Sequence, residues 1–206
     1  MAVSLQLNEL LKSITKVNMM YLFFIPLLIG FVCNTASAFT AAFSKRWDQS
    51  RGSLITFILR NILGIPVWAL GYILAVQTSS KLFFETALTS KVIGWLFIIA
   101  GGLIILIALI SIRTQAGAPS VSDSLVRTGL YQRVRHPIHS GTILEFAGIF
   151  LLFPTHAVAL ACGLGIVWIM IQTKCEEHDL MQRLPEYREY MHQVPRFLPR
   201  LRIKNW

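Results

Sequence analysis

Two apolar runs, Pro137 to Phe153 and Ala157 to Thr173, are separated only by Pro154-Thr155-His156. A link this short, with a proline in it, permits little besides a tight reversal. In hydrocarbon each run must satisfy its own backbone hydrogen bonds, which favours helices over open strands. The pair is therefore expected to form a helical hairpin whose outer ends return to one membrane face. Three further apolar runs precede it, at Asn18 to Phe43, Leu54 to Val76 and Val92 to Ile112. The expected fold is all-α: a multi-pass transmembrane bundle of about five spans at roughly 20 residues each, with the helical hairpin and an amphipathic cytoplasmic tail at its C-terminal end. Residues 1–112 would supply three spans, and residues 113–206 a functional core of loop, hairpin and tail.

Composition agrees. Of the 206 residues 54% are apolar and only 14% charged, with a mean hydropathy of +0.59, whereas soluble domains average about 45–50% apolar and about 25% charged. The net charge of +9 lies between the apolar runs, not on one soluble face. Anionic membrane lipids and the positive-inside rule account for it, and nucleic acid is not an expected partner.

The basic residues also orient the chain. Ser44 to Ser53 carries Lys45, Arg46 and Arg51 against Asp48, and Arg113 to Arg135 carries four arginines against Asp123. The tail from Lys174 to Trp206 holds seven basic and five acidic residues. With five spans these regions share one side, so the C-terminus is expected in the cytoplasm and the N-terminus outside, in a plasma or inner membrane. Lys12 and Lys16, the apolar stretch after them and Ala36-Ser37-Ala38 resemble a signal peptide, but "FTAAF" prolongs the run, and it is read as a retained first span. Cys33, Cys162 and Cys175 have no metal or redox spacing, and no disulfide framework is expected. Gly101-Gly102, Gly163 and Gly165 are read as close helix-packing positions.

Polar chemistry concentrates in two blocks flanking the hairpin, Asp123 to His139 and Gln172 to Tyr190. The hairpin should bring Arg135-His136 close to Glu176-Glu177. Pro137 lacks a backbone donor and suits the first turn of a helix, placing Arg135 and His136 at the helix mouth. Free N–H groups and the dipole there suit an anion such as a carboxylate, and Arg135 adds a forked donor. Arg133 and Arg135 equally suit headgroup anchoring. Glu176 and Glu177 follow an apolar span without a spacer; they either bind hydroxyls, an amino group or a cation, or pair along the helix with Lys174 or Arg183.

Two charges lie deeper, Arg60 in the second run and Glu145 two turns into the fourth. Intramembrane charges are paired or functional, so the two either tie to each other or Glu145 lines a substrate cavity. His136 and His139 share a helix face at a spacing compatible with metal binding, but no third ligand stands at a supporting spacing, and no metal site is expected. His156 reads as a solvated turn residue.

The segment "LVRTGLYQRVRHPIHSG", with "EEHDL" and "EYREYMHQVPRFLP" downstream, resembles the isoprenylcysteine carboxyl methyltransferase family and its phospholipid methyltransferase relatives. Their shared pattern is L-V-x-x-G-x-Y-x-x-x-R-H-P-x-Y-x-G, then a helical hairpin, E-E and V-P-x-x-x-P. The resemblance covers Leu125 to Pro199 and implies a multi-pass membrane enzyme that uses S-adenosylmethionine on a lipophilic small-molecule or lipidated acceptor. It implies that Ser124, Leu125 and Val126 line the cofactor and that Tyr131 flanks it. His136, Pro137, Ile138 and His139 would hold its amino-acid end, Glu176 would bind it from across the hairpin, and Arg135 would stand near the reacting centre. The pattern has tyrosine where this chain has His139, and arginine near the substrate where it has Gln172. "RLPEY" is one residue shorter than the usual "FGxEY".

Methyl transfer from a sulfonium is an in-line displacement that needs alignment more than acid–base machinery. A carboxylate acceptor needs no base; an amine acceptor must be neutral, which gives Glu177, Glu145 or a histidine a base role. Gln172 and Glu145 are the substrate-side candidates, and Arg135 and Glu177 the catalytic ones. Two rival readings are a sterol-reductase-like enzyme using NADPH and a non-catalytic membrane scaffold.

Overall fold

The computed structural model describes residues 21–112 and 120–200. Lys12, Lys16, Arg113 and the last six residues lie outside them. Helices α1 (Phe24–Ala36) and α2 (Thr40–Arg46) divide the first apolar run at a bend of 65°. The Ser37 hydroxyl donates to the Asn34 carbonyl at 2.6 Å, a back-bond that competes with helix continuation. Helix α3 runs from Gln49 to Gln77. Its first turn is capped by Asp48, which accepts the Arg51 N–H at 2.8 Å, and its middle widens to a π-helix over Ile58–Gly64. Such widened turns redirect side chains; here Arg60 and Asn61 line an internal cavity.

Helix α4 (Leu88–Ile112) and helix α5 (Pro137–Leu152) pack antiparallel along a glycine seam. A Cβ on Gly101 or Gly141 would lie 2.6 Å from the other's carbonyl oxygen, and Gly94 and Gly148 form the same relation one level along. Small residues let backbones approach where lipid provides no hydrophobic drive. The expectation for Gly101 is met, and Gly165 likewise abuts Tyr72 and Phe146, whereas a Cβ on Gly163 would meet nothing within 4 Å. On its other side α4 exposes Leu96, Ile99, Leu103 and Ile110, the composition of a lipid-facing surface.

Helix α6 (His156–Arg183) is longer than the fifth apolar run, carrying Glu176 and Glu177 inside the helix and ending only at Arg183. Its apolar half packs on α1 and α3: Phe31 stacks on Trp168 at 4.5 Å between centroids, and the Tyr72 hydroxyl donates to the Ala161 carbonyl at 3.0 Å. By length and composition α3, α4 and α6 can each cross a membrane, and the bent pair α1–α2 makes a fourth if it is one span. Helix α5 has 16 residues, about 24 Å of rise against a hydrocarbon core of about 30 Å, so it is shorter than a straight span.

The hairpin link docks onto the loop between α3 and α4. His156 donates from its backbone and from Nδ1 to the Lys81 carbonyl, at 3.0 and 2.7 Å, and stacks on Phe83. It is exposed, as its place in the link suggests, and it also clasps the two loops together. At the other end, helix α7 (Tyr187–Gln193) covers the loop before α5. The Tyr190 hydroxyl donates to the Tyr131 carbonyl at 2.6 Å, and the Arg127 guanidinium to the Glu186 carbonyl at 3.1 Å.

Candidate functional site

Pro137 occupies the first turn of α5, as its missing donor dictates, and His136 is the residue before it. The chain end then adds an extended strap. The backbone N–H groups of Arg135 and His136 donate to the carbonyls of Pro195 and Arg196 at 2.8 and 3.0 Å, and the Ser140 hydroxyl donates to the Phe197 carbonyl at 2.8 Å. These bonds fasten the strap to the mouth of α5, and the Arg196–Glu177 ion pair ties the strap in turn to α6, so the two polar blocks lie together.

Two groups of side chains result. In the inner one, Glu177 is buried among cations. Arg135 reaches its Oε1 at 2.9 Å, and Arg196 grips both oxygens, with Nε at 3.0 and 3.1 Å and Nη2 at 2.6 Å. His136 Nε2 stands 3.3 Å from the same Oε1, and Arg135 also donates to the Met191 carbonyl at 2.6 Å. Burial opposes a charge on His136, but its hydrogen bonds to Glu176 and Glu177 outweigh that and raise its pKa above the ordinary value. Arg135 and Glu177, the two catalytic candidates from sequence, therefore meet each other, and neither lines the cavity.

In the outer group, Glu176 faces the cavity. Its Oε1 accepts from Gln172 Nε2 at 2.8 Å and lies 3.7 Å from Arg60 Nη2. Its Oε2 lies 3.6 Å from His136 Nδ1 and 4.0 Å from His139 Nδ1. The third group that sequence spacing does not provide beside the two histidines thus arrives from α6 across the hairpin: ligand atoms of His136, His139 and Glu176 all lie within 4.8 Å of one another. Gln172 is buried, and its Oε1 has no partner among the described residues.

The cavity has a volume of about 510 Å³, within the range of small-molecule sites. One wall is the loop Asp123 to Val126 with Tyr131; another is Ile138 and His139 at the start of α5; a third is Glu176, Asp179 and Arg183 on α6. Asn34, Arg60 and Asn61 close it from α1 and α3, and Ile65, Leu109 and Ile112 give it an apolar side. Of the sequence candidates, Ser124, Leu125, Val126, Tyr131, Ile138, His139 and Glu176 line this space. His136 and Pro137 stand behind it, with Gln172 touching Glu176. Arg60 pairs with Glu176, while Glu145 sits outside the lining, its side chain against Gly101 and Gly102 of α4.

Sequence reasoning missed Arg196 and Asp179. Arg196 lies in "VPRFLP", which enters the sequence reading only through the V-P-x-x-x-P pattern, and nothing in spacing couples it to Glu177. Asp179 accepts the Ala41 N–H at 2.7 Å and Arg183 Nε at 2.7 Å, fastening α2 to α6. The Asp179–Arg183 pair has helical i, i+4 spacing, a signal that was available.

The phospholipid methyltransferase family profile matches residues 59–187. The match extends N-terminally beyond the motif region, through the second half of α3 and all of α4. The nickel-cobalt-cadmium resistance protein NccN of Alcaligenes xylosoxydans xylosoxydans is 29% identical over 85 residues, covering 40% of this chain and 39% of that protein. The cobalt-zinc-cadmium resistance protein CzcN of Cupriavidus metallidurans is 27% identical over 85 residues, covering 40% and 38%. These alignments span about two fifths of the curated relatives' length. No solved structure matches the chain. With more than half of the chain matched, and with most of the motif residues gathered around one cavity, the chain belongs to the phospholipid methyltransferase family.

Proposed function

We propose that this chain is an integral membrane methyltransferase that uses S-adenosylmethionine to methylate a lipophilic acceptor, either an isoprenylcysteine-like carboxylate or a lipid amine. The observation that carries this reading is the cavity itself, which is polar at Glu176, His139, Arg60 and Asn61 and apolar at Ile65 of α3 and Leu109 and Ile112 of α4.

The residues suit the cofactor. Glu176 offers a carboxylate to a cationic amino or sulfonium group, and the orphaned Gln172 Oε1 beside it is a further acceptor. The start of α5 directs N–H groups toward the region where an amino-acid carboxylate would lie. Ser124, Leu125 and Val126 supply backbone groups and apolar contact for the adenosine part, with Tyr131 alongside. When bound, the cofactor supplies an electrophilic methyl on sulfur; the chain's part is to hold donor and acceptor in line and keep water out.

The inner group then acts at one remove. Glu177 is already engaged by two guanidiniums and an imidazole, so it is poorly placed to take a proton, and Arg135 is occupied by Glu177 and a carbonyl. Both are positioning residues in this proposal: they hold the mouth of α5 against α6 and thereby fix His139 and Glu176. For an amine acceptor, His139 and Glu176 are the proton acceptors at the cavity. The acceptor's tail would enter between α3 and α4 past Ile65, Leu109 and Ile112, and the cofactor would arrive from the cytoplasmic side, where the basic loops lie.

Incubating membranes that contain the chain with methyl-labelled S-adenosylmethionine tests the reading. Label in the lipid or prenylated fraction, lost with Val126→Trp, supports it. Label found only on water-soluble acceptors, or none in folded protein, overturns it. Reduction of a sterol by NADPH, with no requirement for S-adenosylmethionine, would instead favour the reductase alternative.

A further inference from the structure

We infer that His136, His139 and Glu176 form a binding site for one divalent transition-metal ion, with an open coordination position facing the cavity. This goes beyond methyl transfer and does not depend on it, because it requires only the three ligand atoms.

The donor geometry carries the inference. Glu176 Oε2 is 3.6 Å from His136 Nδ1 and 4.0 Å from His139 Nδ1. In tetrahedral coordination, with metal–ligand distances of about 2.0–2.1 Å, neighbouring ligand atoms stand roughly 3.3 Å apart. The pocket therefore needs to contract by less than about 1 Å around an ion at those two pairs. The imidazole rings are stacked, 5.5 Å between centroids and 26° apart in plane, so both can present a nitrogen to the same side of Glu176.

What stands behind the ligands strengthens the case. A metal-bound histidine usually donates its other ring N–H to a carboxylate or carbonyl, which fixes the tautomer. His136 Nε2 lies 3.3 Å from Glu177 Oε1, and Glu177 is itself held by Arg135 and Arg196. With Nε2 directed to Glu177, Nδ1 is the nitrogen that faces Glu176 and would exchange its proton for the ion. The ligand carboxylate is held in the same manner: Gln172 and Arg60 occupy the Oε1 side, leaving Oε2 to the imidazoles. Gln172 is the nearer of the two, at 2.8 Å against 3.7 Å for the Arg60 guanidinium, so the closer hold on the carboxylate is neutral.

The ligand set selects the class of ion. Two imidazoles and one carboxylate suit zinc, cobalt or nickel and are poor for calcium or magnesium, which prefer all-oxygen shells. Three protein ligands leave a fourth position for water or an anionic group in the cavity. His139 and Glu176 line that cavity, so an ion there reaches bulk solvent by the route a polar ligand would use.

The test uses the full chain, purified in detergent without a histidine tag and stripped with chelator. Cobalt(II) is titrated in while the visible d–d absorption is recorded, and zinc uptake is measured by equilibrium dialysis and elemental analysis. The expected result is one ion per chain, with the spectrum of low-coordinate nitrogen and oxygen ligation and no thiolate charge-transfer band. His139→Phe and Glu176→Gln should each weaken binding at least tenfold, while a variant with Cys33, Cys162 and Cys175 changed to serine binds as before. Stoichiometric uptake absent from folded wild-type protein overturns the inference without reference to any variant. So does undiminished uptake in a folded His139→Phe or Glu176→Gln protein. Binding of S-adenosylhomocysteine, measured in the same preparation, separates the two readings: protein that binds that ligand but takes up no metal in its absence removes this inference alone.

Discussion

Arg196 closes on Glu177 through two nitrogens, with Nη2 2.6 Å from Oε2 and Nε within 3.1 Å of both oxygens. Glu177 is 3% exposed, whereas Arg196 is 40% exposed, so the carboxylate depends on its cations more than Arg196 depends on it. The pair joins the C-terminal strap to the last third of α6 and, through Arg135, to the mouth of α5. Removing one partner of a fully buried pair costs about 3–5 kcal/mol. The exposure of Arg196 and the retention of Arg135 reduce that here to about 1–2 kcal/mol. Arg196→Ala should therefore lower the thermal midpoint in detergent by several degrees. Arg196→Lys should recover part of the loss, keeping the charge without the two-pronged grip.

The glycine seam between α4 and α5 gives a contrast within one residue type. A Cβ added at Gly141 would lie 2.6 Å from the Gly101 carbonyl oxygen and 2.7 Å from Ile105 Cγ1. Backbone cannot yield as a side-chain tip does, so Gly141→Ala is expected to cost about 1–3 kcal/mol through overpacking. Gly163→Ala, with nothing within 4 Å of the new atom, should leave the unfolding midpoint unchanged or slightly raised. Parallel thermal melts, monitored by tryptophan fluorescence, check both.

Tyr190 makes the packing of α7 sensitive to alkali. Burial pushes its phenol up to about 12, and the hydroxyl donates to the Tyr131 carbonyl. A folded pKa above the unfolded value of about 10 means that the protonated form stabilises the fold below pH 10. That contribution is lost as pH rises from about 10 through the folded value. Stability measured across this window should fall more steeply in the wild type than in Tyr190→Phe. A tyrosinate absorbance titration should show one late-titrating phenol fewer in the variant.

Much of the site could be read from the chain before the fold was known. Pro137 marks a helix start by its missing donor, and the short Pro154–His156 link forces the reversal that carries Glu176 back to His136. What escaped reading depended on contacts far apart in sequence. Charges at Glu176 and Glu177 look like the end of an apolar helix, yet α6 continues to Arg183 because Arg135, Arg196 and Arg60 arrive from three other segments to neutralise them. The bend after Ala36 rests on the Ser37 hydroxyl and the Asn34 carbonyl, a choice that hydropathy does not register. Motif position assigns Arg135 to the reacting centre, and Glu177 enters as a base for an amine acceptor; their mutual contact and absence from the cavity lining emerge only once the strap at Pro195–Phe197 is placed.

Titrating the detergent-purified full chain with S-adenosylhomocysteine by calorimetry bears most directly on the claim that the cavity bordered by Ser124–Val126, Tyr131, His139 and Glu176 is a methyl-donor site. The expected result is saturable binding at one site per chain, weakened about tenfold or more, near 1.4 kcal/mol, by Glu176→Ala and by Val126→Trp in proteins that remain folded. Absence of binding by folded wild-type protein, or binding of NADPH in its place, would contradict the claim.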